Sequence, residues 1–201
     1  FTVVLISAPV MFLAFGISWG GILLIIFYSG TRLFRGEDVL SKGISGQVMY
    51  IWLIMLAGPA LAGLLVKRMA DGKSGFRQLL SLMFNWKVSI RWYAAAILIF
   101  PTLLIPIIYS FALFSSNYSP GLLFGTGIAA GLIGGFLEEI GWTGFALPKL
   151  QFKYIPFTAA IILGFIHTVW HLLADCLGGI SFFKGYYVLH FLFWLFALTA
   201  F

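Results

Sequence analysis

Long apolar runs recur along this chain, at residues 2–29, 48–66, 93–114, 122–147, 157–173 and 186–201. A bilayer-crossing helix needs roughly 20 predominantly apolar residues. In hydrocarbon every backbone N–H and C=O must be satisfied within its own segment, so runs of this length specify helices. The expected fold is therefore all-α, a polytopic transmembrane bundle of about six spans forming a single domain over 1–201. The last run is still apolar at Phe201, so further spans are expected beyond it. The first run is not read as a cleaved signal peptide, because it lacks a basic leading segment and other spans follow it.

Charge supports this reading. Only 9% of residues are charged and mean hydropathy is +1.06, against roughly 25% charged in an average soluble domain. In a soluble chain a net charge of +6 would suggest nucleic acid. Here the basic residues sit between apolar runs, where the positive-inside bias accounts for them, so no nucleic-acid partner is implied. Lys67, Arg68, Lys73, Arg77, Lys87, Arg91, Lys149 and Lys153 fall on one side of the expected bundle, and Arg32, Arg35, Lys42 and Lys184 on the other. The richer side is cytoplasmic by that rule, which puts the N-terminus of this multi-pass integral membrane protein in the cytoplasm. The lone Cys176 excludes an intramolecular disulfide and a cysteine metal site.

Between the second and third runs, Phe76, Leu79, Leu80, Met83 and Phe84 recur at i, i+3, i+4, i+7 and i+8, with Arg77, Gln78 and Ser81 between them. This pattern predicts an amphipathic helix over about 74–86 lying along the interface and drawn to anionic lipid.

Adjacent carboxylates, Glu138 and Glu139, interrupt an otherwise apolar run. Ionisable side chains at membrane depth cost at least a few kcal/mol, so they face a bundle interior or wet cavity and mark a site. Gly127, Gly131, Gly134, Glu138 and Gly141 recur at intervals of four, three, four and three, which places them on one helical stripe suited to close packing. Glu139 lies about 100° further round and shares its face with Thr143. In the next run, His167, His171 and Asp175 are successive i+4 neighbours. His171 beside Glu138 could activate a water by general-base chemistry, so a Glu138 to His171 contact is expected across these two helices.

The segment Glu138-Glu139-Ile140-Gly141-Trp142-Thr143-Gly144-Phe145-Ala146-Leu147-Pro148-Lys149-Leu150-Gln151 resembles the first motif of the CPBP family, the CAAX prenyl endopeptidase type II and bacteriocin-processing group also called Abi. Val169-Trp170-His171-Leu172 resembles its second motif, and Ser18-Trp19, Gly58-Pro59-Ala60-Leu61-Ala62 and Trp92-Tyr93 are weaker echoes. The resemblance implies an all-helical intramembrane endopeptidase, a hydrolase cleaving a peptide bond near the membrane interface. It implies Glu138 as the base that activates water, His171 as its assistant and Glu139 as supporting carboxylate. It implies no cofactor, and a peptide or protein substrate, a prenylated protein being one family possibility, with membrane lipid as the other partner. Three positions depart from the pattern. Thr143 stands where the motif has arginine, His167 where the second motif has its aromatic, and His190 is followed at i+4 by Trp194 where the third motif pairs His with Asn.

Two other readings stay open. His167, His171, Asp175 and Glu138 form a nitrogen and oxygen set suited to zinc and metal-assisted hydrolysis, although Thr168 occupies the position where the zincin pattern has Glu. Alternatively, the same cavity could bind a peptide or bacteriocin without cleaving it, as in an immunity or transport protein.

Overall fold

The computed structural model describes residues 2–29, 46–114 and 124–178, together with 191, 192 and 195. Every regular element among these residues is helical: α1 Thr2–Ser29, α2 Gly46–Met83, α3 Ile90–Phe114, α4 Phe124–Gly141, a π-helical turn Trp142–Ala146, α5 Leu147–Gln151 and α6 Pro156–Gly178. Three helices are long and apolar enough to cross a membrane, over Ala8–Ser29, Met49–Met83 and Pro156–Ala174. The expectation of about six spans is therefore met only in part among the described residues. Apart from three residues, the expected run 186–201 lies outside them, as do His190 and Trp194.

Phe1–Met83 with Gly134–Phe201 forms one compact unit, and Phe84–Ile133 a second. In the first, α1 buries Val10, Ala14, Ser18 and Ile22, a stripe of four-residue steps, while Phe12, Leu23, Leu24 and Phe27 on its other faces are exposed. A helix that is apolar all round yet buried along one stripe leaves the rest of its surface to lipid. Ser18 Oγ donates to the Met55 carbonyl at 2.7 Å, and Trp19 Nε1 donates to the Trp170 carbonyl at 3.0 Å, so one turn of α1 tethers both α2 and α6. Interhelical bonds of this kind hold helices together where lipid removes the hydrophobic drive between them.

The expected amphipathic segment is continuous with α2 but set off by a break at Gly72, whose φ of 67° is open to glycine at little cost. The helix ends at Met83 rather than near residue 86. Its apolar face is also turned differently from the expectation: Leu79 is buried with Ala60 and Ile140, flanked by Leu64, Met83 and Leu137. Leu79 packs on protein, while Leu82 and Phe84 are exposed and Phe76, Leu80 and Met83 half-buried.

In the second unit, α3 carries Pro101 and Pro106 within the helix. Each lacks an N–H and would leave a carbonyl one turn back without its bond. Thr102 Oγ1 donates to Leu98 O and Ser110 Oγ to Pro106 O, both back-bonds of one turn within the helix. Tyr93 OH donates to Trp86 O at 2.6 Å and clasps the entry into this helix.

Candidate functional site

The carboxylates lie at the C-terminal end of α4, where the chain runs directly against α2. A Cβ on Gly141 would stand 2.3 Å from the Pro59 carbonyl oxygen, and one on Gly63 would stand 2.9 Å from the Gly141 Cα. Only glycine permits this backbone approach. The predicted small-residue stripe is therefore real at its C-terminal end. Gly134 also faces Trp52 and Leu56, whereas Gly127 and Gly131 fall in the second unit.

Directly after Gly141 the helix widens into the π-turn, closed by the Leu147 N–H bonding to the Trp142 carbonyl. Pro148 follows at once. Its ring would collide with the carbonyl four residues back in a regular α-helix, and a wider turn relieves that. π-turns of this kind are frequent at functional sites. This one buries Trp142, Phe145 and Ala146.

From α6, His167 and His171 project one turn apart toward Glu138. His167 Nε2 lies 3.1 Å from Glu138 Oε2, and His171 Nε2 lies 4.0 Å from the same oxygen. The expected contact of His171 with Glu138 is present at 4.0 Å, and His167, not expected as a partner of Glu138 under the glutamate reading, comes closer to the same oxygen. Which of two i+4 imidazoles comes closer is decided by how α6 crosses α4, and helical periodicity carries no information on that. The two rings stack at 5.2 Å, and Trp142 lies against His167 at 4.9 Å. Trp170 meets Trp142 edge-on at 5.7 Å. This aromatic wall fixes both imidazole planes. Thr168 ties its hydroxyl back to Gly164 O and stays out of the site.

Thr143 Oγ1 donates to the Glu139 carbonyl at 3.1 Å. It caps its own turn instead of presenting a charge to the Glu139 carboxylate, as the arginine of the motif would. The side chain of Asp175 lies outside the described residues. Glu138, His167 and His171 offer ligand atoms that all lie within 4.8 Å of one another.

What these features define is an all-helical integral membrane protein with a partly buried cluster of one carboxylate and two imidazoles. Residues 120–200 match the model of the type II CAAX prenyl endopeptidase, Rce1-like family. The chain is also 24% identical over 157 residues to the CAAX prenyl protease 2 of Methanococcus maripaludis, an alignment covering 73% of this chain and 56% of that protein. No solved structure matches the chain. The chain spans just over half the length of the curated relative it matches.

Proposed function

We propose that this protein is an intramembrane endopeptidase of the CAAX-protease type, hydrolysing a peptide bond with a water activated by Glu138. The observation that carries the reading is the convergence of two imidazoles on a single oxygen of a carboxylate held within the helical bundle. Glu138 takes a proton from the attacking water as its oxygen bonds to the peptide carbonyl carbon. The same carboxyl group then returns that proton to the departing amine as the C–N bond breaks. His167 holds the carboxylate in orientation. His171, further from Glu138 Oε2, is placed to donate to the oxyanion as charge develops there. The substrate class is a protein or peptide presented at the membrane, with prenylated C-termini the first to try, given the archaeal relative's name. The test is cleavage of a prenylated CAAX peptide by full-length protein in proteoliposomes, compared with Glu138→Gln. Equal turnover by the two proteins would dismiss Glu138 as the base.

A second reading is favoured by one specific observation, the three ligand atoms within 4.8 Å of one another. Tetrahedral zinc with bonds near 2.0–2.1 Å sets its ligands about 3.3 Å apart, a value bracketed by the 3.1 and 4.0 Å separations at Glu138 Oε2. Glu138, His167 and His171 would be the ligands, and the ion would supply a Lewis acid, leaving Glu139 as base. We rank it second because the 3.1 Å separation is already a good hydrogen bond without an ion.

A further inference from the structure

Between the π-turn and α6 lies a cavity of about 20 Å³, walled on its polar side by Glu139, Trp142, Thr143 and His167 and on its apolar side by Ala160 and two leucines. A water molecule needs about 10–15 Å³ of such space and two to four polar partners, so this cavity has room for one. A second observation points to the same occupant. Trp142 is completely buried, and its Nε1–H meets no acceptor among the described residues. Buried indole N–H groups normally find a partner, and one left unpaired is a standing cost to the fold.

The other polar groups around the cavity have capacity left. The Thr143 hydroxyl lies against Glu139, donating to its carbonyl at 3.1 Å and also within reach of its carboxylate, which can accept further bonds through its remaining lone pairs. His167 engages Glu138 through Nε2, which leaves Nδ1 as the second bonding position of the ring. Glu138 and Glu139 themselves diverge by about 100° around α4, so no single protein group in hydrogen-bond reach of both is expected from their positions alone.

We propose that one ordered water occupies this cavity and joins the Glu139 carboxylate to the His167 ring, so that a single imidazole links two carboxylates on different sides of α4. The water accepts from the Trp142 indole and donates one hydrogen to the Glu139 carboxylate and the other to His167 Nδ1. Glu139 is then a positioning residue, acting on Glu138 through His167. This hydration site stands apart from the question of peptide cleavage and is tested without it.

The experiment is a map of the full-length protein in lipid nanodiscs, at a resolution that resolves bound waters, for wild type and for Ala160→Val. That substitution adds methyl groups from the apolar wall and alters none of the polar groups. Wild type should show one peak within hydrogen-bond reach of the Glu139 carboxylate and the His167 ring. Ala160→Val should lose the peak and unfold at a lower temperature, because expelling a bonded water orphans the groups it served. A dry cavity, or a raised unfolding temperature in Ala160→Val from filling an empty void, would overturn the proposal. A peak lying about 2.0–2.1 Å from its protein partners, at metal-ligand rather than hydrogen-bond distance, would also overturn it, in favour of an ion.

Discussion

The two halves of the candidate site are held in place by different physics. The carboxylate half, residues 134–151, is an interrupted helix whose backbone touches the backbone of α2 at Gly141 and Pro59 and then swells into a π-turn. The imidazole half, α6, is a 23-residue helix with no such interruption, fixed by ring packing and by side-chain bonds that include Trp19 Nε1 to the Trp170 carbonyl and His167 Nε2 to Glu138 Oε2. Steric exclusion positions the first half and small attractive contacts position the second. Where position is set by backbone contact, any added atom must displace a helix. Where it is set by several weak contacts, each can be lost with the others remaining.

The substitution with the largest expected effect acts where the halves meet. Glu138→Gln keeps the shape and hydrogen-bonding capacity of the side chain and removes the base, and general-base catalysis contributes typically 10²–10⁴-fold. Turnover of a prenylated peptide in proteoliposomes should fall by about that factor, with expression and thermal unfolding unchanged. If the wild-type protein shows no turnover but captures a peptide in a Glu138-dependent way, the non-catalytic binding reading takes over.

Next in size is Gly141→Ala, which tests the steric half directly. The new Cβ would need to occupy a position 2.3 Å from the Pro59 carbonyl oxygen, and the obstacle is backbone, which cannot rotate away. Overpacking of this kind costs about 1–3 kcal/mol. Chemical or thermal unfolding in detergent should show a loss on that scale, with turnover falling alongside it as α4 shifts from α6. Gly144→Ala is the milder control: a Cβ there would stand 3.2 Å from both the Glu139 carbonyl oxygen and the flexible Leu79 Cδ1, against 2.3 Å from the Pro59 oxygen at Gly141. If both variants are equally stable, the backbone contact is not what positions the carboxylates.

The same contrast explains what the sequence could and could not show. α1 runs over the residues expected for it, and α6 extends the expected run by one residue before it and five after. Long uninterrupted apolar runs leave little choice of structure. The Glu pair and the i+4 histidines were legible because charge at that depth and helical spacing are local properties. The pairing of Glu138 with His167 was not, since it depends on a helix crossing angle. Nor was the inward face of Leu79, because an amphipathic pattern looks the same whether lipid or protein covers it. The π-turn did leave a trace, in Pro148 placed where a regular helix would have to receive its ring. Read for its effect on the turn before it, that proline would have warned that the carboxylates and the segment after them do not share one helical phase.

His167→Phe sharpens the comparison at intermediate size, since it keeps an aromatic ring in the wall and removes the bond to Glu138 Oε2. Under the glutamate reading turnover should fall about tenfold, the equivalent of about 1.4 kcal/mol and the scale of one hydrogen bond to a charged group. Chelators should leave wild-type activity intact, and elemental analysis should find no stoichiometric zinc. Stoichiometric zinc that disappears together with activity in His167→Phe would instead make the three-residue cluster a metal centre.

The smallest expected effect belongs to the tether on the imidazole half. Trp19→Phe removes the N–H that reaches the Trp170 carbonyl while keeping an aromatic ring against Phe15. Interhelical bonds in membrane proteins average about 0.6 kcal/mol, and the Trp170 carbonyl, being inside α6, also has a helical N–H to accept from. Unfolding should therefore show a loss of about 0.6 kcal/mol, well below that of Gly141→Ala, with turnover nearly unchanged because ring packing still orients His167 and His171. A loss as large as that of Gly141→Ala would mean that α6 hangs on this single bond, and the division between a sterically fixed half and a half held by many weak contacts would have to be abandoned.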